Sequence, residues 1–215
     1  MTKSHPSNMD NINENIREHC QPDELILMYV GNLELYQGID LLLDGFKVAQ
    51  NLALNVPLKL VIIGGKDGDI AKYKLKTKNI GIDHQVLFLG QRSVENLGYY
   101  LAQADILLSP RIKGRNTPMK LYSYLDSGKP VLATDLPTHN WVLDNEVAVL
   151  SAPNPEAFAQ GIIHLANHPQ IRQTLAVAAK KMVQQRHSFS AYKQQLNSLY
   201  DSLQLEFNNA ASIDQ

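Results

Sequence analysis

Short apolar runs alternate with amphipathic segments through the middle of the chain. Six runs have strand length, and they cover residues 25–30, 58–63, 86–89, 104–109, 131–134 and 147–150. Between them apolar residues recur every three or four positions, as at Leu42, Leu43, Phe46 and Ala49, which is typical of a helix with one buried face. Unbroken apolar strands separated by such helices predict an α/β fold: a doubly wound, mostly parallel, Rossmann-like sheet of about six strands.

The same pattern divides the chain into three parts. Residues 1–22 are polar and are interpreted as a leader or a severed interdomain linker. Residues 23–187 form the predicted Rossmann-like domain, and residues 188–215 a C-terminal helix and tail.

Composition narrows the class of protein. Lys and Arg total 20 against 21 for Asp and Glu, so no basic excess indicates a nucleic-acid surface. The single cysteine, Cys20, has no internal disulfide partner; it is interpreted as an incidental thiol and favours a reducing compartment. No run is long enough for a transmembrane helix, and the N-terminus lacks the apolar core of a signal peptide. These features predict a cytoplasmic protein.

Ligands of doubly wound sheets bind at the carboxyl ends of the strands, which directs attention to the loops there. The loop after the first strand, residues 31–38, is flanked by Gly31 and Gly38 but lacks the GxGxxG dinucleotide pattern. Gly64 and Gly65 follow the second strand. They fit either a turn that needs positive φ or a close approach of backbone to phosphate.

The loop before residues 118–127 is the stronger candidate. Thr117 is a predicted N-cap, Pro118 suits the first helical turn, and Gly128 suits the position after the last. The backbone N–H groups of Met119 and Lys120 would then face an anionic ligand. Four cations surround this spot: Arg111, Lys113, Arg115 and Lys120. Clustered cations suit a diphosphate, and the alternative is a solvated basic loop.

Two further polar residues lie near this region. Ser123 shares a helix face with Met119 and could bond a ribose hydroxyl, or bond only its own backbone. His139 is predicted to be a satisfied or exposed loop histidine more readily than a catalytic base. Absence of GxSxG, Cys/His and metal-ligand spacings disfavours covalent hydrolase and metal chemistry.

Five segments, in order, resemble the C-terminal, donor-binding half of a family 4 glycosyltransferase of the GT-B fold. They read YVGNLELYQGID, LVIIGG, VLFLG, ADILLSP and NTPMKLYSYLDSGKPVLATD, and the resemblance spans about residues 25–200. It implies retaining transfer of a sugar from a nucleoside-diphosphate sugar (a UDP-, GDP- or ADP-sugar) with no metal or other cofactor.

The resemblance is uneven at individual residues. Where the family commonly has an Arg and a Lys on the diphosphate, this chain has Asn32 and Gln37. Where the family often has two glutamates, it has Arg115 and Ser123, whereas Lys120 matches a lysine of some members. We therefore expect Arg115, Lys120 and the helix N-terminus to supply the positive charge that Asn32 and Gln37 lack.

The resemblance thus implies a donor-binding set and no assigned catalytic residue. The set comprises Gly31, Asn32, Gln37, Gly38, Arg92, Arg115, Asn116, Thr117, Pro118, Met119, Lys120 and Ser123.

The resemblance also implies partners. An N-terminal acceptor-binding domain or partner chain is expected beside the nucleoside-diphosphate sugar, because only about 22 residues precede the first strand. By itself the domain is expected to be inactive, with apolar residues of its last helix, such as Leu199 and Leu203, partly exposed. No nucleic acid is expected, and peripheral membrane contact is compatible with the sequence. Two alternatives stay open: a non-catalytic sugar-nucleotide-binding or interaction module, and a sugar-nucleotide epimerase-like fragment.

Overall fold

The computed structural model describes residues 14–52, 55–187, 193, 196–198 and 200. The strands are β1 Leu25–Val30, β2 Leu58–Ile63, β3 Val86–Gly90, β4 Ile106–Ser109, β5 Val131–Thr134 and β6 Val149–Ser151. The α-helices of the described chain are α1 Ile39–Gln50, α2 Asp67–Asn79, α3 Leu97–Gln103, α4 Lys120–Asp126, α5 Pro137–Asn140, α6 Pro155–Asn167 and α7 Pro169–Arg186.

The six strands form one parallel sheet in the order β3-β2-β1-β4-β5-β6. This confirms the predicted doubly wound, Rossmann-like fold. Strand order reverses its direction between β1 and β4, so the loops leaving these two strands diverge to opposite sides of the sheet. The crevice between such loops is where open α/β sheets bind their ligands. We call this point the switch point.

The core has one layer on each face of the sheet. Alternate residues of β1 enter the two layers: Leu27 and Tyr29 pack on the side of α1 and α6, and Ile26 and Met28 on the side of α3, α4 and α7. All four are fully buried. A strand covered on both faces needs apolar residues at every position, which explains the unbroken runs in the sequence.

The start of α4 differs from the prediction. The helix begins at Lys120, and Met119 occupies the N-cap position without a side-chain bond. Because the N–H of Leu121 bonds to the carbonyl of Pro118 three residues earlier, the first turn is tighter than an α-turn. The predicted start at Pro118, capped by Thr117, is therefore wrong, whereas Gly128 has the expected left-handed φ of 68° after the last turn.

Part of the predicted leader packs on the sheet. Residues Ile16–His19 form a 3-10 turn, and Ile16 is fully buried in the layer beside α3. Its backbone N–H donates to the side-chain oxygen of Gln103 at 2.7 Å, and Arg17 pairs with Asp105 at 2.6 Å. The described residues from 14 onwards therefore add to the same domain.

Most of the predicted C-terminal helix and tail, including Leu199 and Leu203, lies outside the described residues. Among the residues that are described, no helix is both long and apolar enough to cross a membrane.

Candidate functional site

A cavity of about 300 Å³ opens at the carboxyl ends of β1, β2 and β3. It is lined by Val30, Gly31, Asn32, Glu34, Ile63, Gly64, Gly65, Lys66, Asp69, Gln91 and Arg92. Three of these residues are the glycines Gly31, Gly64 and Gly65 of strand-ending turns, so main-chain atoms form part of the wall. Such a wall lets a ligand approach main-chain groups closely.

Two glycines bring the turns together. Gly64 has φ of 109°, and a Cβ there would lie 2.1 Å from the carbonyl oxygen of Gly31. Gly38 has φ of 74°, and a Cβ there would lie 1.9 Å from the carbonyl oxygen of Pro110. The loop after β1 therefore touches the loop after β2 on one side and the loop after β4 on the other.

Lys120 lies at the switch point. Its ammonium is 3.9 Å from the ring centroid of Tyr29 and 3.4 Å from the side-chain oxygen of Gln37. It also adjoins the backbone of Gly31, where a Cβ would lie 3.4 Å from Nζ. Among the described residues it forms no ion pair with a carboxylate.

The pKa of Lys120 reflects this environment. Burial of the ammonium, with a smaller contribution from the Arg111 cation, lowers the pKa of Lys120 to about 7. An anion bound here would favour the charged form. The position is therefore suited to a negatively charged ligand. In the absence of such a ligand, the buried ammonium lowers the stability of the fold.

Arg111, one of the four cations of the sequence analysis, has an internal role. Its guanidinium donates to the carbonyls of Lys113 and Asn116, each at 2.7 Å, and to the side-chain oxygen of Asn116 at 3.1 Å. The side chain is buried. Arg111 thus shapes the turn that follows it, and Arg115 in that turn is exposed.

Arg92 reaches the cavity from the loop after β3. Its guanidinium donates to the carbonyl of Leu89 and pairs with Glu14 at 2.6 Å. The positive charge at this edge is therefore partly compensated by a residue of the N-terminal segment.

Apart from Ser123, the predicted donor-binding residues fall into three groups. Gly31, Asn32 and Arg92 line the cavity. Gln37 and Lys120 contact each other at the switch point. The third group lies on or beside the loops that flank the switch point and consists of Gly38, Arg115, Asn116, Thr117, Pro118 and Met119.

Ser123 lies elsewhere. It lines a separate groove of about 260 Å³ between α3 and α4, together with Leu97, Leu101, Asp126 and other residues. The structure does not bring Ser123 to the cavity beside β1, and its contact with a ribose stays a prediction.

Sequence reasoning missed Tyr29 and Tyr124. Both are fully buried tyrosines whose hydroxyls bond backbone near the end of β1: Tyr29 to the carbonyl of Asn32 at 2.6 Å, and Tyr124 to the N–H of Val30 at 2.8 Å. Tyr29 stands in an apolar run, where a buried tyrosine requires a partner for its hydroxyl, and this signal could have identified it; Tyr124 lies in a mixed helical segment that carries no such signal.

His139 is buried and bonded at both ring nitrogens. Nδ1 lies 2.6 Å from the carbonyl oxygen of Thr134, and Nε2 lies 3.0 Å from Oγ of Ser109. Because a carbonyl only accepts, Nδ1 carries the proton and Nε2 accepts from Ser109. Burial lowers the pKa of His139 to about 4, so the ring is neutral near pH 7. Of the predicted alternatives, His139 is a satisfied histidine that joins β4, β5 and α5.

Among the described residues no group of three His, Cys, Asp or Glu side chains is arranged to hold a metal ion.

Replacing Lys120 by methionine is expected to stabilise the unliganded domain. The pKa of Lys120 is about 7 in the fold and about 10.5 in the unfolded chain, so below pH 7 the burial cost of the ammonium is fully present. As pH rises from 7 to 10.5 the native state releases the proton first, and wild-type stability recovers. We expect Lys120→Met to raise the free energy of unfolding by about 1–2 kcal/mol at pH 6, with a smaller gain at pH 9.

Urea unfolding at the two pH values measures this difference. Lys129→Met, at the opposite end of α4, is the matched control and should show no such gain. A Lys120→Met variant no more stable than wild type at pH 6 would contradict the assigned environment.

Comparison with known proteins agrees with the fold. Residues 11–182 match the family described as "Glycosyl transferases group 1". The chain is 25% identical over 169 residues to a phosphatidyl-myo-inositol mannosyltransferase of Mycobacterium leprae, covering 78% of this chain and 43% of that protein. It is 26% identical over 207 residues to a lipopolysaccharide 1,2-N-acetylglucosaminetransferase of Salmonella typhimurium, covering 89% and 53%. The chain thus spans about half the length of these relatives.

Solved structures share the fold. Anabaena HepE in complex with UDP and glucose aligns with a TM-score of 0.74 at 18% identity, covering 87% of this chain and 51% of that one. The C-terminal domain of LpcC, a glycosyl transferase group 1 family protein of Francisella tularensis, aligns with a TM-score of 0.68 at 19% identity, covering 82% and 94%. The six-stranded parallel sheet, the shared fold and a family match over most of the chain lead to one conclusion: the chain belongs to the group 1 glycosyltransferases, with a GT-B-type fold.

Proposed function

We propose that this chain binds the nucleoside-diphosphate sugar of a retaining glycosyltransferase. The observation that carries the proposal is the ammonium of Lys120, which lies at the switch point without a carboxylate partner among the described residues. A diphosphate is the part of a sugar nucleotide that would supply the missing negative charge. Charge-assisted hydrogen bonds of this kind are about twice as strong as neutral ones.

The cavity at β1, β2 and β3 would receive the rest of the donor. Its glycine turns offer backbone groups, and we propose that the edge formed by Gln91 and Arg92 receives the base. HepE, which shares the fold, was solved with UDP and glucose, and this supports a nucleotide ligand for the present chain. We propose a UDP-, GDP- or ADP-sugar and no metal cofactor.

The charge in this proposal rests mainly on Lys120. The helix α4 has only seven residues, Arg111 is engaged with its own loop, and Arg115 is exposed. Asn32 and Gln37 would add neutral hydrogen bonds. We therefore expect Lys120→Ala to weaken binding more than Arg115→Ala, which refines the expectation that both contribute.

We propose that a second Rossmann-like half binds the acceptor. Since the relatives are about twice as long as the matched segment, we propose that this half belongs to the same polypeptide or to a partner chain. We propose that the reaction takes place in the cytoplasm. Peripheral contact of the enzyme with a membrane is compatible with this proposal. No residue of this domain is assigned as catalytic acid or base; the donor phosphate is proposed to assist deprotonation of the acceptor.

Nucleotide binding should follow the protonation of Lys120. In a thermal-shift panel of UDP, GDP, ADP and their sugars, we expect the nucleotides of one base to raise the Tm of the domain, and we call these the responsive nucleotides. A ligand at a hundredfold excess over its Kd stabilises the folded protein by about 2.7 kcal/mol. Affinity should fall as pH rises from 7 to 9, since binding then requires uptake of a proton. Lys120→Met should bind about tenfold more weakly and lose this pH dependence, whereas Lys129→Met should resemble wild type. No shift with any nucleotide would refute the donor site.

Turnover separates this function from that of a non-catalytic module. Donor hydrolysis, measured with and without a candidate acceptor-binding half, is expected only in the combination. NMR of the transferred sugar is expected to show the anomeric configuration of the donor. Nucleotide binding with no turnover in any combination would favour the module, and an inverted product would contradict retention.

A further inference from the structure

Tyr29 contacts the loop after β1 and the first residue of α4. It is the penultimate residue of β1 and is fully buried. Its ring lies 3.9 Å below the ammonium of Lys120, and its hydroxyl donates to the carbonyl of Asn32 at 2.6 Å. One side chain therefore joins the loop after β1 to the helix that follows β4.

A second tyrosine fixes the helix on the same strand. Tyr124 lies four residues after Lys120, so both side chains leave one face of α4. Its hydroxyl accepts from the N–H of Val30 at 2.8 Å. The recorded pairing of β1 with β4 ends at Met28, so at Val30 the hydroxyl takes the place of a strand partner. Lys120 is thereby held over Tyr29 by its own helix.

Few of the groups around Lys120 attract its ammonium, so the ring of Tyr29 matters for the charged form of the lysine. Arg111 from the β4–α4 loop is a cation that lowers the pKa of Lys120. His139 of α5 is neutral, because burial and, to a smaller extent, the charge of Lys120 lower its pKa. Gln37 and the nearby Tyr29 and Tyr124 are uncharged, since burial raises the pKa of both tyrosines. Among these neighbours, the face of the Tyr29 ring and the oxygen of Gln37 are the groups that attract the ammonium.

We propose that Tyr29 is a positioning residue for the donor diphosphate: its ring attracts the ammonium of Lys120 and places it at the switch point, while its hydroxyl fixes the Asn32 turn. The proposal rests on the proposed function only in naming the diphosphate as the group that Lys120 receives. The contact between Tyr29 and Lys120 is formed by residues of the domain alone.

Gly31 is part of the same arrangement. A Cβ at Gly31 would lie 2.9 Å from the hydroxyl oxygen of Tyr29. The absence of a side chain there lets the hydroxyl pass the turn and reach the carbonyl of Asn32. The glycine after β1 therefore serves the tyrosine as well as any ligand.

The test compares Tyr29→Leu, which removes the ring, with Tyr29→Phe, which keeps it. The Cε resonance of Lys120 in ¹³C-labelled unliganded protein, assigned with Lys120→Arg, reports the pKa directly. Tyr29→Leu is expected to lower the pKa of Lys120 by about one unit and to weaken binding of the responsive nucleotide about tenfold at pH 7. Tyr29→Phe should leave the pKa near that of wild type and change binding less.

Two additions keep the result interpretable. Tyr73→Leu removes another fully buried tyrosine, which bonds Asp40 instead, and controls for the loss of core volume. If Tyr29→Leu fails to fold, Tyr29→Met replaces it, because the flexible thioether side chain adapts to irregular space. A Lys120 pKa that is unchanged or raised on removal of the ring overturns the proposal. A lowered pKa in a protein that binds no nucleotide supports the role of Tyr29 and refutes only the proposed donor.

Discussion

The contact between the ammonium of Lys120 and the ring of Tyr29 joins the two halves of the sheet at their reversal point. Tyr29 is the penultimate residue of β1, the first strand of the sheet, and Lys120 begins the helix that follows β4. Because β1 and β4 are neighbours whose loops diverge, a charge held across their ends faces the crevice between those loops. The site therefore depends on a cation that the domain itself leaves without a counter-ion in the part of the chain described.

The other polar groups near the crevice largely maintain its shape. Arg111 satisfies carbonyls in its own loop, and His139 links Ser109 to Thr134 beneath it. Both side chains are buried and hydrogen-bonded, so their contribution to the crevice is to keep the surrounding loops rigid. A rigid frame that holds an unpaired ammonium is less stable than the same frame with an apolar residue there, and it is prepared for an anion. Stability and ligand binding are thus opposed at one residue.

The sequence predicted the fold well because each sheet strand is covered on both faces and so reads as an apolar run. It also placed the candidate site at the carboxyl ends of the strands, the end of the sheet at which the structure has a cavity. It erred at the start of α4, where a 3-10-like turn at Pro118 shortened the helix, and it missed the four-residue helix α5. Ser123 illustrates the limit of spacing arguments. Helix periodicity gave its face relative to Met119, but it could not show that Ser123 lines the groove between α3 and α4. The role of Tyr29 depends on a contact between residues 91 positions apart, which no local pattern reports.

Proton uptake on nucleotide binding tests the central claim most directly. Calorimetric titration with the responsive nucleoside diphosphate at pH 8, repeated in buffers of different ionisation enthalpy, gives the number of protons bound with each ligand. Since the pKa of Lys120 is about 7, the group is mostly neutral at pH 8 and must be protonated to face a diphosphate. We predict an uptake approaching one proton per nucleotide in wild type and none in Lys120→Met. Tight binding without proton uptake in wild type would contradict the account.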